Sequence, residues 1–85
     1  MPPYTRAGSI KAKPGQRDAL LAILKDAAAN APTMPGCLTY EVRAAIDDPD
    51  AIIVSEVWVD EASHAASLRL ESVRAAIARA RPLIA

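Results

Sequence analysis

The chain predicts an α+β fold, an antiparallel sheet with helices on one face. Three observations carry this. The runs Cys37-Leu38-Thr39-Tyr40-Glu41-Val42 and Ile52-Ile53-Val54-Ser55-Glu56-Val57-Trp58 are short and rich in β-branched or aromatic residues, and Asp47-Asp48-Pro49-Asp50 between them is a turn sequence, so together they read as a hairpin. Two other segments repeat apolar residues at helical spacing. The second run is apolar on both faces, so both faces are expected to be covered.

The elements follow in order. Tyr4 to Lys13 reads as a first strand, with Tyr4, Arg6, Gly8, Ile10 and Ala12 on one face. Arg6 and Gly8 interrupt the apolar pattern, and Gly8 suggests a bulge or a close approach by another group. Lys13-Pro14-Gly15 is punctuation. A helix is expected from about Gln16 to Asn30, with Leu20, Leu21, Ile23, Leu24, Ala27, Ala28 and Ala31 on its stripe; Pro32 and Pro35 prevent continuation. On the first hairpin strand Leu38, Tyr40, Val42 and Ala44 share a face. On the second, Ile52, Val54, Glu56 and Trp58 do. Asp60 is a good N-cap for a helix from Glu61 to about Leu70, with Glu61 favourable to its dipole. A last segment, Ser72 to Arg81, has Val73, Ala76, Ile77 and Ala80 on one stripe, and Pro82 stops it. The order β-α-β-β-α is one strand short of the ferredoxin-like motif.

Size and composition narrow the function. The 85 residues (1–85) are expected to form a single domain. Phe is absent, Trp occurs once, and alanine fills much of the apolar content, so the core is thin and oligomerisation would support it. Ten basic and ten acidic side chains balance to zero, without the basic block a nucleic-acid partner requires. No apolar run approaches the roughly 20 residues of a membrane span, and Met1-Pro2-Pro3-Tyr4 is not a signal peptide. One cysteine cannot form an internal disulfide, which fits a cytoplasmic protein. The two-sided strand Ile52–Trp58 exceeds what this chain can cover, which predicts a homodimer.

Several residues could carry chemistry, each with a plainer role beside it. His64, the single histidine, could exchange a proton near neutral pH, or be a partly exposed helix residue. Trp58 is first a packing residue and second a pocket wall. Glu56, between Val54 and Trp58, needs a partner if buried, and Arg6 is the candidate. Tyr40 could bind a substrate oxygen or anchor the sheet. Cys37 lacks a basic neighbour by spacing and reads as a small apolar residue. Leu24, Leu68 and Ile77 are core or pocket lining. No cluster of His, Cys and Asp offers a metal site, and no glycine-rich phosphate loop is present.

Pro35-Gly36-Cys37-Leu38-Thr39-Tyr40-Glu41-Val42, then Glu56-Val57-Trp58, then Asp60-Glu61-Ala62, resembles the antibiotic biosynthesis monooxygenase family over nearly the whole chain. The resemblance implies a dimer of ferredoxin-like subunits whose sheets face each other, a dimeric α/β barrel, with a pocket in each subunit between sheet and helices. For some members it implies oxygenation of a hydroquinone or anthrone by O2 with no metal, flavin or other cofactor. Three features depart from the pattern. The fourth strand that follows the position of Leu83-Ile84 is missing. Val54 stands where anthrone oxidases have an Asn four residues before the strand Trp. Val73 to Arg81 contains no His, which the haem-degrading branch needs. His64 stands where some anthrone oxidases have a Tyr. The expected function is therefore cofactor-independent oxygenation of a small electron-rich aromatic, with His64 catalytic and Trp58, Tyr40, Val54, Glu56, Leu24, Leu68 and Ile77 against substrate. The alternative is a non-catalytic dimeric module that binds a small hydrophobic metabolite, and haem degradation ranks last.

Overall fold

A computed structural model describes residues 2–85. Strand β1 is Tyr4–Lys11, helix α1 Arg17–Ala29, strands β2 and β3 Cys37–Ala44 and Ala51–Trp58, and helices α2 and α3 Glu61–Ser67 and Glu71–Ala80; short 3-10 turns occupy Ala31–Thr33 and Arg81–Leu83. The sheet runs β1-β3-β2 and is antiparallel throughout. β3 is thus the central strand of an α+β, ferredoxin-like arrangement, and its continuous β-branched run is what a strand paired on both edges favours.

One sheet face carries Ile10, Ile52, Val54, Tyr40 and Val42, and the helices pack there. Leu20 of α1 and Ile52 of β3 are fully buried, with Ala12 and Ala80 beside them. Each of the two large side chains contributes about 1.5–3 kcal/mol by leaving water. Trp58 is also buried, but alanines fill much of the rest, so the helices come close to the sheet without filling the space between. The opposite face, with Ile53, Ser55 and Val57 half-buried, has no helix against it among the described residues.

Local chemistry sets the boundaries. Pro14 and Gly15, the latter at φ 79°, form a type II turn closed by the Gln16 N–H donating to the Lys13 carbonyl at 2.9 Å. β1 therefore ends at Lys11, two residues before the expected Lys13. Ala12 instead bridges Ile84 antiparallel, and the Ala85 N–H donates to the Lys11 carbonyl at 2.9 Å. The β2–β3 turn is held by Asp48, whose carboxylate accepts the Asp50 N–H at 2.9 Å and lies 3.1 Å from Lys11 Nζ.

Two expectations are corrected in the strands. Register is continuous through Gly8, so there is no bulge, and a Cβ there would meet nothing within 4 Å, so there is no close approach either. The irregularity lies in β2 between Cys37 and Thr39, and it leaves Leu38 exposed rather than on the Tyr40 face.

The second helix is also shorter than its pattern suggests. The Ser67 hydroxyl donates to the His64 carbonyl at 2.6 Å, taking the acceptor that the Leu68 N–H would use in a continuing helix. The N–H groups of Leu68, Arg69 and Leu70 fall back on carbonyls three residues earlier, and α3 begins anew at Glu71. Among the described residues no helix is long and apolar enough to cross a membrane.

Candidate functional site

Two glycine-dependent contacts place α2. Gly36, at φ 81°, precedes β2, and its carbonyl accepts the Val59 N–H at 2.8 Å. A Cβ on Gly36 would lie 2.5 Å from Ser63 Oγ, so the first turn of α2 sits against bare backbone. Asp60 caps that turn, its Oδ1 accepting the Ser63 N–H at 2.7 Å. Together these aim His64, one residue later, at the sheet.

His64 is enclosed. Its side chain is only 12% exposed, its ring centroid is 5.6 Å from that of Tyr4, and it stands edge-on to Trp58 at the same separation. Beside it Glu56 Oε1 accepts the indole N–H of Trp58 at 3.1 Å and lies 3.9 Å from His64 Nε2. The Glu56 side chain is 14% exposed, so this carboxylate has left most of its water and faces the indole and the imidazole instead. The expected Arg6–Glu56 pair does not form, although the two are directly opposite in register. The reason is that the indole of Trp58, two residues along the same face, reaches the carboxylate first, and the Arg6 guanidinium donates to the Tyr4 hydroxyl at 3.1 Å.

These groups border a cavity of about 230 Å³ between the sheet and helices α2 and α3. Its polar lining is Tyr40, Glu56, His64, Ser67 and Arg81; Leu24, Met34, Trp58, Val73 and Ile77 provide much of the apolar wall. Burial, with help from Glu56, pushes the Tyr40 phenol up, so Tyr40 is a hydrogen-bond donor at neutral pH. The same two causes push the Cys37 thiol up, which leaves it protonated and a poor nucleophile.

His64, Trp58, Tyr40, Glu56, Leu24, Leu68 and Ile77, singled out from sequence, therefore meet in one place. Val54 does not join them; it lies in the adjoining cleft over β1. Leu68 and Ile77 are rim rather than floor, at 48% and 41% exposure. Leu68 follows the last residue of α2, which ends at Ser67, and is the cap of that helix. Sequence reasoning passed over Tyr4, Met34 and Arg81. Tyr4 was recognisable from its register opposite Trp58. Arg81 had no such signal, since it reaches the cavity only through the 3-10 turn after α3. Among the described residues no group of three or more His, Cys, Asp or Glu is placed to hold a metal ion.

Comparison with known proteins bears on the fold and the family. A Chloroflexus aurantiacus structure named for antibiotic biosynthesis monooxygenase is 54% identical and superposes with a TM-score of 0.89, over 99% of this chain and 83% of that one. A Pseudomonas aeruginosa structure is 25% identical with a TM-score of 0.89, covering 99% and 85% of the two chains. One from Nitrosomonas europaea shares the fold at 14% identity, with a TM-score of 0.91 over 98% and 80%. No curated protein matches the chain. Residues 3–79 match the family model described as antibiotic biosynthesis monooxygenase, and the chain belongs to that family.

Proposed function

We propose that this protein is a monooxygenase that oxidises a small electron-rich aromatic, of hydroquinone or anthrone type, with O2 and without a cofactor. The observation that carries the reading is the enclosure of the single histidine against an apolar cavity. A solvated His64 beside a collapsed pocket would instead have favoured the non-catalytic binding module.

The chemistry asks little of the protein. His64 accepts a proton from the activated C–H or O–H of the substrate. The resulting anion passes an electron to O2, and the radical pair joins as a peroxide at the reacting carbon. For an anthrone, cleavage of the O–O bond with loss of the remaining C–H proton releases water and leaves a carbonyl. One O2 is consumed, one oxygen atom enters the product and one leaves as water. The apolar walls keep bulk water from the anion, and the Tyr40 hydroxyl is available to hold a substrate oxygen. Glu56, anchored by Trp58, lies where it can steady the imidazolium formed in the first step.

The active form is a homodimer in this reading, with the Ile53–Val57 faces of two sheets packed together. Support comes from the half-buried apolar residues on that face, against which none of the described helices packs. Oxygen uptake measured against a panel of hydroquinones and anthrones, with 18O2 incorporation into product, tests the function. Tight binding of these aromatics without oxygen uptake would establish the binding-module alternative.

A further inference from the structure

His64 and Tyr40 face the inner cavity from different elements. His64 enters from α2, and Tyr40 stands on β2, paired in register with Glu56 of β3. The two are opposite in character. His64 is the base of the proposed reaction. Tyr40 is a donor, because burial, with help from Glu56, holds its phenol protonated. Among the described residues its hydroxyl has no hydrogen-bond partner, and its oxygen is not sealed in protein. A half-buried O–H of this kind is satisfied only by an acceptor that enters from outside the protein.

The other polar groups of the lining are engaged or outside the enclosure. Ser67 gives its hydroxyl proton to the His64 carbonyl, and Glu56 Oε1 takes the indole N–H of Trp58. Arg81 is exposed on the turn after α3. The enclosed wall therefore offers one free donor and one base, with a carboxylate beside the base. A hydroquinone does not need this pairing, since the oxygen that loses the proton also keeps the charge. A carbon acid does need it. Its proton leaves carbon while the charge arrives on a carbonyl oxygen several atoms away. One group must take the proton and another must donate to the oxygen.

We infer that this is an enolising site in its own right: without O2 it exchanges the acidic C–H protons of an aryl ketone such as anthrone with solvent, and Tyr40 is its second catalytic residue. His64 takes the proton from carbon. The electron pair left behind delocalises through the ring system onto the carbonyl oxygen, and the Tyr40 O–H donates to that oxyanion. The imidazolium, next to Glu56, trades its proton with water and returns one to the same carbon. No electrons leave the substrate, so no oxidant is consumed. When O2 is present it intercepts the same enolate, so exchange and oxygenation share their first step.

The substrate's placement rests on the aromatic-oxidation reading, and removing O2 separates the two. Anthrone is incubated with the full chain in anaerobic D2O buffer, and deuterium in the recovered anthrone is measured by mass spectrometry. Exchange is expected to exceed that in buffer alone by about 10²-fold or more. Tyr40→Phe should lower the enzymatic rate by about 10²–10³-fold, the range for losing one oxyanion donor. It should still bind anthrone, read by quenching of the single tryptophan, Trp58, which a merely structural loss at Tyr40 would abolish. Exchange no faster than in buffer would overturn the inference, and oxygen uptake with anthrone in air would then leave the oxidation reading standing. Parent-rate exchange in Tyr40→Phe would also overturn it. Rapid exchange that depends on Tyr40, with no oxygen uptake in air, would uphold the enolising site and remove the oxidation reading.

Discussion

The indole N–H of Trp58 donates to Glu56 Oε1 at 3.1 Å, and the same oxygen lies 3.9 Å from His64 Nε2. The two residues share a strand face two positions apart, where side chains of an extended strand stand in line. Trp58 is thus more than packing: it supplies the donor that lets a carboxylate remain beside the histidine in an apolar wall. Trp58→Phe keeps most of the ring and removes the donor, and should cost about 1–3 kcal/mol in urea denaturation. In a Glu56→Gln background the same change should cost measurably less, because the charged acceptor is already gone. Equal costs in both backgrounds would show that the bond contributes nothing.

Gly36 lets α2 approach the start of β2. Gly36→Ala combines a left-handed backbone with a Cβ 2.5 Å from Ser63 Oγ, and Val59 is 2.9 Å away on another side. Destabilisation of about 1–3 kcal/mol is expected. Because α2 carries His64, the near-ultraviolet circular dichroism of Trp58 should change as well. The same substitution at Gly15 lacks the steric clash and should report the backbone strain alone.

Acid should unfold the protein through two surface carboxylates. The Asp50 N–H and Lys11 hold Asp48 below the usual carboxylate range, and capping of Ser63 does the same for Asp60. A group whose folded pKa is depressed contributes its stability above the unfolded value, and loses it as pH falls toward the folded value. Stability should therefore be flat near neutrality and decline below about pH 4. Asp60→Asn keeps a capping oxygen but does not titrate, so its acid decline should be shallower than the parent's. An identical pH profile would rule out the cap as a contributor.

The proposed pairing of sheets predicts a dimer by light scattering at micromolar concentration. Val57→Arg places a charge on the outward face of the central strand, next to Ser55 and Ile53. It should shift the population to monomer or lower the thermal midpoint in a concentration-dependent way. A folded, stable monomer in the parent protein would contradict the pairing.

Much of the fold was legible because local signals and periodicity agreed. The α1 stripe from Leu20 to Ala31 is buried or half-buried at every named position, and Asp60 caps α2 as its side chain suggests. The site was legible in part because His64, Trp58, Tyr40 and Glu56 lie on faces that alternation and helical spacing identify. What escaped was decided by single competing contacts. The Ser67 hydroxyl ends α2 without any proline or glycine to announce it. The shift between Cys37 and Thr39 turns Leu38 out of an otherwise regular alternation. Glu56 had two partners within reach, and charge alone favoured Arg6; geometry favoured the indole. Arg81 enters the cavity through a turn geometry that no spacing rule describes.

The central claim is that His64 is the proton acceptor in this pocket, and oxygen uptake by His64→Ala with the best hydroquinone or anthrone substrate tests it most directly. The account predicts turnover lower by about 10²–10⁴-fold, the range typical of losing a general base, with fold and dimer intact. His64→Gln, which can hydrogen-bond but is not an effective base at neutral pH, should be nearly as impaired. Parent-rate turnover in both variants would contradict the account and reduce the pocket to a binding site.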